Sequence, residues 1–124
     1  MDEVEQTNSL GGIEVDDDPE RAVVRLWGDV DASLRDQASL AMIALVHRGG
    51  PYVVDVSGVT FLDSSGIAFV LQVHRMATDT GSTAVLRDPP VLVIEMLDLI
   101  GLGGTIPFEF SAGDTADRVE AAGV

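Results

Sequence analysis

Three times between residues 22 and 102 a short apolar, β-rich run gives way to a longer stretch with helical spacing. The runs begin at Ala22, Tyr52 and Thr83, and the helical stretches cover residues 32–47, 64–78 and 91–102. Strands that alternate with helices are joined by crossovers, and crossovers make neighbouring strands parallel. Glycine closes each helical stretch, at Gly49-Gly50, at Gly81 and at Gly101, and Pro51 enforces the first exit. Two further strands are expected at the ends. Residues 12–15 read as a short edge strand. The turn Asp16-Asp17-Asp18-Pro19-Glu20 folds it back on residues 22–27 as a hairpin. Residues 105–110 alternate, with Ile106, Phe108 and Phe110 inward, Glu109 outward, and Pro107 marking an edge. Residues 1–8 read as an acidic flexible tail and residues 114–122 as a terminal helix. The expected fold is α/β: a mainly parallel sheet of four to five strands with an N-terminal β-hairpin, packed against about four helices. It forms a single domain over residues 9–124.

In such a sheet, ligands and partners gather at the carboxyl ends of the strands. Two polar stretches fall there. One is Gly28-Asp29-Val30-Asp31, which leads into the first helix with Asp31 or Ser33 as its cap. The other lies within V-T-F-L-D-S-S-G-I-A, residues 59–68, where the chain bends at residues 57–60 and then opens the second helix. Asp63, Ser64 and Ser65 all suit a helix start. They are either a cap and nothing more, or a cap that also presents a serine as a reversible phosphate acceptor. The second helix is apolar around most of its circumference, but Ser65, Ala68, Gln72, Arg75 and Asp79 fall on one stripe. Ser65 therefore heads the solvent-facing side of an otherwise buried helix.

Composition removes several classes of function. The net charge is −14 and the pI about 4.1; all 7 basic residues are arginine. Such a chain repels nucleic acid and anionic membranes and attracts a protein partner with a basic patch. The absence of cysteine excludes thiol catalysis and zinc–thiolate sites. No apolar run approaches the roughly 20 residues of a membrane helix, and no signal-peptide pattern is present, so a cytoplasmic location is expected. Gly101-Leu102-Gly103-Gly104 follows a helix and lacks a lysine, the reverse of a nucleotide loop. No cofactor is expected.

The run F-L-D-S-S-G-I-A (residues 61–68), the upstream W-G-D-V-D (27–31) and the downstream L-I-G-L (99–102) resemble the STAS domain family. More narrowly, they resemble bacterial anti-sigma factor antagonists. The resemblance covers about residues 9–122. It implies a partner switch in which the dephosphorylated antagonist captures an anti-sigma factor with serine-kinase activity and frees the sigma factor. Phosphorylation reverses this, and a phosphatase resets it. Residue by residue, Ser65 matches the acceptor and Asp63 the acidic residue of the motif. Asp31 matches the acidic residue near the same docking surface. Ser64, Gly66, Ala68, Gln72 and Arg75 complete the surface expected to meet the partner. The third helix begins with Val91-Leu92-Val93-Ile94 where relatives carry basic residues, which suggests self-association.

Two other readings compete. One is a non-switching STAS subunit regulating a transporter or sensory complex, or binding a small ligand. The other is a serine hydrolase using Ser64 or Ser65 with His47 or His74. It lacks the G-x-S-x-G elbow, and the chain is read as not an enzyme.

Overall fold

A single sheet in the order β1-β2-β3-β4-β5 organises the chain. The computed structural model describes residues 10–111; the tail expected over 1–8 and the helix expected over 114–122 lie outside them. The strands are β1 (Gly11–Asp16), β2 (Ala22–Val30), β3 (Tyr52–Leu62), β4 (Ala84–Arg87) and β5 (Phe108–Glu109). β1 and β2 form the antiparallel hairpin, and every later pair is parallel. Between them run α1 (Arg35–Arg48), α2 (Ser64–Asp79) and α3 (Val91–Leu99). Among the described residues, no helix is long and apolar enough to cross a membrane.

Strand order equals chain order, so every crossover steps the same way. Right-handed crossovers that all step one way put all their helices on one face. The core has that composition: Val24 and Leu26 of β2, Val54 and Val56 of β3 and Leu86 of β4 meet Leu45, Val73 and Leu97 of the helices. Leu26, Leu45, Val56, Val73 and Leu86 have no exposed surface, and each side chain so buried contributes about 2 kcal/mol.

The opposite face carries a row of charge. The pairing register sets Glu14 beside Arg25, Arg25 beside Asp55, Asp55 beside Arg87 and Arg87 beside Glu109. The sign alternates across all five strands. Arg25 donates to Glu14 at 2.7 Å and to Asp16 at 3.3 Å, with its guanidinium 5.1 Å from the centre of the Trp27 ring. Arg21 clamps Glu109 with two bonds of 2.7 and 3.0 Å, and Arg87 adds a third at 3.2 Å. The row shields Val23 and Val53, which lie on this face and are 4% and 0% exposed.

Three expectations need correction. The bend expected at residues 57–60 is instead part of β3, which runs on to Leu62. The polar residues there are absorbed by register shifts against β2, where Trp27 faces Gly58, Asp29 faces Phe61 and Val30 faces Leu62. Asp55 supports this irregularity by accepting from the Ser57 amide at 3.0 Å and its hydroxyl at 2.8 Å. Residues 105–110 form only a two-residue strand: Ile106 is buried, but Phe108 is 37% exposed and stacks edge-on against Phe110. The first helix, expected from Ala32, begins as a 3-10 turn over Ala32–Leu34 and becomes α-helical only at Arg35. Gly49 stops α1 at φ 79°, where its amide reaches the Leu45 carbonyl.

The Glu109 cluster makes stability depend on acid. Hydrogen bonds from Arg21 hold the Glu109 carboxyl below its usual value, outweighing the opposite pull of burial. A depressed carboxyl pKa stabilises the fold above its unfolded value, near 4.5, and that stabilisation disappears as pH falls through the folded pKa. Glu109→Gln should therefore lose on the order of 1 kcal/mol at pH 7. Urea unfolding at neutral pH and again well below the carboxylate range should show the deficit only at neutral pH.

Candidate functional site

The backbone brings the two polar stretches together. β2 and β3 are parallel and adjacent, so their carboxyl ends emerge side by side, and the Asp63 amide donates to the Val30 carbonyl at 3.2 Å. Each chain segment then turns into a helix capped by an aspartate. Asp63 is extended at φ −105°, and its Oδ1 accepts from the Ser65 amide at 2.8 Å and the Gly66 amide at 3.3 Å. Asp31 caps the 3-10 turn, accepting from the Ser33 amide at 3.0 Å and its hydroxyl at 2.6 Å. The Ser33 hydroxyl, and after it the Ser33 amide, hold the Asp31 carboxyl below its ordinary value. Asp31 is therefore an anion at any physiological pH.

Gly66 sets how closely these parts approach. It is buried, and a Cβ there would run into Leu62 Cδ1 and come 3.0 Å from both Val30 Cγ1 and the Val30 carbonyl. The start of α2 therefore rests directly on the ends of β2 and β3. Gly66 is a spacer and offers a partner no side-chain surface.

Ser64 and Ser65 are exposed. The Ser65 amide is held by Asp63, while its hydroxyl makes no hydrogen bond among the described residues. Beside it opens a groove of about 460 Å³ between α1 and α2. Val30, Leu34, Ala38, Met42 and Phe69 give it apolar walls, and Asp31, Arg35, Ser39, Ser65 and Gln72 add its polar groups. Of the residues named from sequence, Asp31, Ser65, Gly66, Ala68 and Gln72 line this groove. Asp63 lies beneath it as the cap. Ser64 and Arg75 are exposed but outside the lining. Ser65, Ala68, Gln72, Arg75 and Asp79 are all exposed, as their common stripe requires.

Sequence reasoning missed the α1 wall. Arg35, Ser39 and Ile43 belong to the groove, and Leu40, Ile43 and Val46 stand 68%, 57% and 60% exposed on that helix. The signal available was an apolar excess: α1 carries more large aliphatic residues than one buried stripe can use.

The chemistry available is limited. Neither histidine lines the groove. His47 is exposed at the far end of α1, and His74 is half-buried, its Nδ1 without a partner among the described residues. His74 lies about 13 Å along α2 from Ser65. A Ser–His pair is not formed, so the hydrolase reading has no base. Among the described residues no cluster of acidic or histidine side chains could hold a metal ion. What remains is an exposed hydroxyl on a rigid cap, at the mouth of an apolar groove.

Comparisons with known proteins agree with this architecture. A family model described as "Mlab, STAS domain" matches residues 13–108. An anti-sigma F factor antagonist from Lysinibacillus sphaericus is 27% identical over 86 residues, covering 68% of this chain and 74% of the relative. Among solved structures, the anti-sigma factor antagonist SpoIIAA in its unphosphorylated form superposes with a TM-score of 0.66 at 22% identity, over 88% of this chain and 96% of that one. An anti-sigma factor antagonist from Mycobacterium paratuberculosis gives 0.65 at 26% identity, over 87% and 92%.

Substitutions at the junction separate its two structural parts. Asp63→Ala should cost about 1 kcal/mol through the lost cap. Gly66→Ala should cost about 1–3 kcal/mol by overpacking. Urea unfolding midpoints measure both, and a midpoint unchanged by Gly66→Ala would contradict the close packing described.

Proposed function

Because the chain belongs to the STAS domain family, we propose that it is an anti-sigma factor antagonist controlled by phosphorylation of Ser65. In the dephosphorylated state it binds an anti-sigma factor that is also a serine kinase, and the sigma factor is released. The observation that carries this reading is the Ser65 hydroxyl, exposed and unbonded among the described residues at the rim of an apolar groove. Support also comes from the relatives: one is named an anti-sigma F factor antagonist, and SpoIIAA has been solved in a phosphorylated form. The docking surface would comprise Asp31, Ser64, Ser65, Ala68, Gln72 and Arg75, held in place by Asp63 and Gly66.

The chain supplies a nucleophile and no base. The Ser65 oxygen attacks the γ-phosphorus of ATP held by the kinase. The bond to the bridging oxygen breaks, ADP leaves, and the serine proton passes to a base on the kinase. A phosphatase returns Ser65 by hydrolysis, releasing inorganic phosphate. Phosphate adds roughly −2 charge. The groove rim already bears Asp31, with Asp63 beneath it, and the amides of Ser65 and Gly66 are committed to Asp63. The new charge thus falls on a surface that docking must desolvate. A penalty of about 3 kcal/mol would weaken binding more than a hundredfold.

Intact-protein mass after incubation with ATP and each candidate anti-sigma kinase tests the reading. The parent should gain one phosphate and lose its complex with the kinase, and Ser65→Ala should gain none and stay bound. A folded parent that gains none with any kinase would overturn the switch and leave a non-switching STAS subunit.

A further inference from the structure

We infer that Arg35 is the internal partner of a phosphate on Ser65, and that their ion pair spans the groove and closes it to the docking partner. This rests on the phosphorylation reading above and adds where the phosphate goes.

Among the described residues, the arginines divide sharply by what they already do. Arg21 and Arg87 bind Glu109, Arg25 binds Glu14 and Asp16, and Arg48 donates to the Asp18 carbonyl at 2.7 Å. Arg35 and Arg75 form no ion pair there. Three of the six described arginines pair with carboxylates and Arg48 with a backbone carbonyl, which leaves Arg35 and Arg75 as the two that make neither bond. Of these two, Arg35 lines the groove that Ser65 lines, and Arg75 does not.

The position of Arg35 brings no local benefit. It is the first residue of α1, at the helix end where a cation is disfavoured. The two carboxylates of the joint are engaged: Asp31 accepts twice from Ser33, and Asp63 caps α2. Arg35 and Ser65 lie on opposite sides of one joint. Arg35 is one turn beyond Asp31, Ser65 is just beyond Asp63, and the Val30–Asp63 hydrogen bond ties the two approaches together.

A phosphate on Ser65 needs a donor set. The Ser65 and Gly66 amides are occupied by Asp63, and that carboxylate repels a second anion. Within the groove lining, Arg35 is the one cationic side chain. Its planar fork matches two phosphate oxygens at once. The resulting bridge runs from the α2 rim to the α1 rim, over apolar walls that include Met42 and Phe69. Phosphorylation would then act twice, by charge and by occupying the partner's groove.

The test places phosphoserine at position 65 of the full chain by codon-directed incorporation, so no kinase is needed. Phosphorus NMR against pH reads its second ionisation in the parent background, in Arg35→Gln and in Arg48→Gln. Arg48→Gln removes an equal charge at the far end of α1, about 20 Å away. An opposite charge in contact favours the dianion, so Arg35→Gln should raise that pKa by about one pH unit and Arg48→Gln should leave it in place. Coincident curves for the parent and Arg35→Gln would overturn the inference. So would equal shifts in both variants, which would mean a diffuse field. Because the phosphate is installed directly, a failure here leaves the kinase switch standing. A failed kinase assay likewise leaves this titration interpretable.

Discussion

One backbone hydrogen bond, from the Asp63 amide to the Val30 carbonyl at 3.2 Å, holds the joint on which the rest of the site depends. It ties the ends of two parallel strands just before each chain segment turns into a helix. Gly66 makes the joint close, because a side chain there would push Leu62 and Val30 apart from α2. Two aspartate caps follow from it, one on each side. Their spacing sets the width of the groove between α1 and α2, and the rim position of Ser65. The D-S-S-G run is thus a structural device before it is a chemical one: a cap, an exposed hydroxyl pair and a spacer in four consecutive residues.

The charge of the chain is distributed with the same economy. Acidic residues number 21 against 7 basic ones, so there are too few arginines to pair with most of the carboxylates. Arg21, Arg25 and Arg87 are nonetheless concentrated on the face of the sheet opposite the described helices, in a row whose sign alternates from Glu14 to Glu109. Half-exposed ion pairs are individually weak. Here they also exclude water from Val23 and Val53 and tie the short β5 to β2 and β4 through Glu109. β5 has only two residues, too few to hold its place by backbone pairing alone. Among the described residues Arg35 and Arg75 are left without an ion pair, and Arg35 lines the groove that Ser65 lines.

Much of this was legible from residues alone. The period-2 and helical patterns located all five strands and three helices, since apolar spacing follows directly from which face of each element meets the core. The solvent-facing stripe of α2 was legible for the same reason. Asp63 as cap was legible because its side chain acts on amides two and three residues on, a local interaction. Elements failed where non-local pairing overrode local chemistry. Residues 57–60 look like a bend, yet β2 pairs with Gly58 and Val59 across a shifted register and keeps the strand in the sheet, with Ser57 and Thr60 at the two shifts. Phe108 looks inward by alternation, yet β5 is the edge strand among the described residues and leaves it 37% exposed.

The sequence by itself determined the order of elements and the residues at each helix start, because these depend on neighbours within a turn or two. It also determined the chemistry on offer: a hydroxyl, carboxylates and arginines, with no thiol. The tertiary structure alone decided what stands opposite Ser65. Arg35 and Met42 belong to α1 while Ser65 and Phe69 belong to α2, and only the parallel register of β2 and β3 brings the two helices close enough to make one groove of them. The charge ladder was invisible for the same reason, since alternation of sign across five strands is a property of register and not of any one strand.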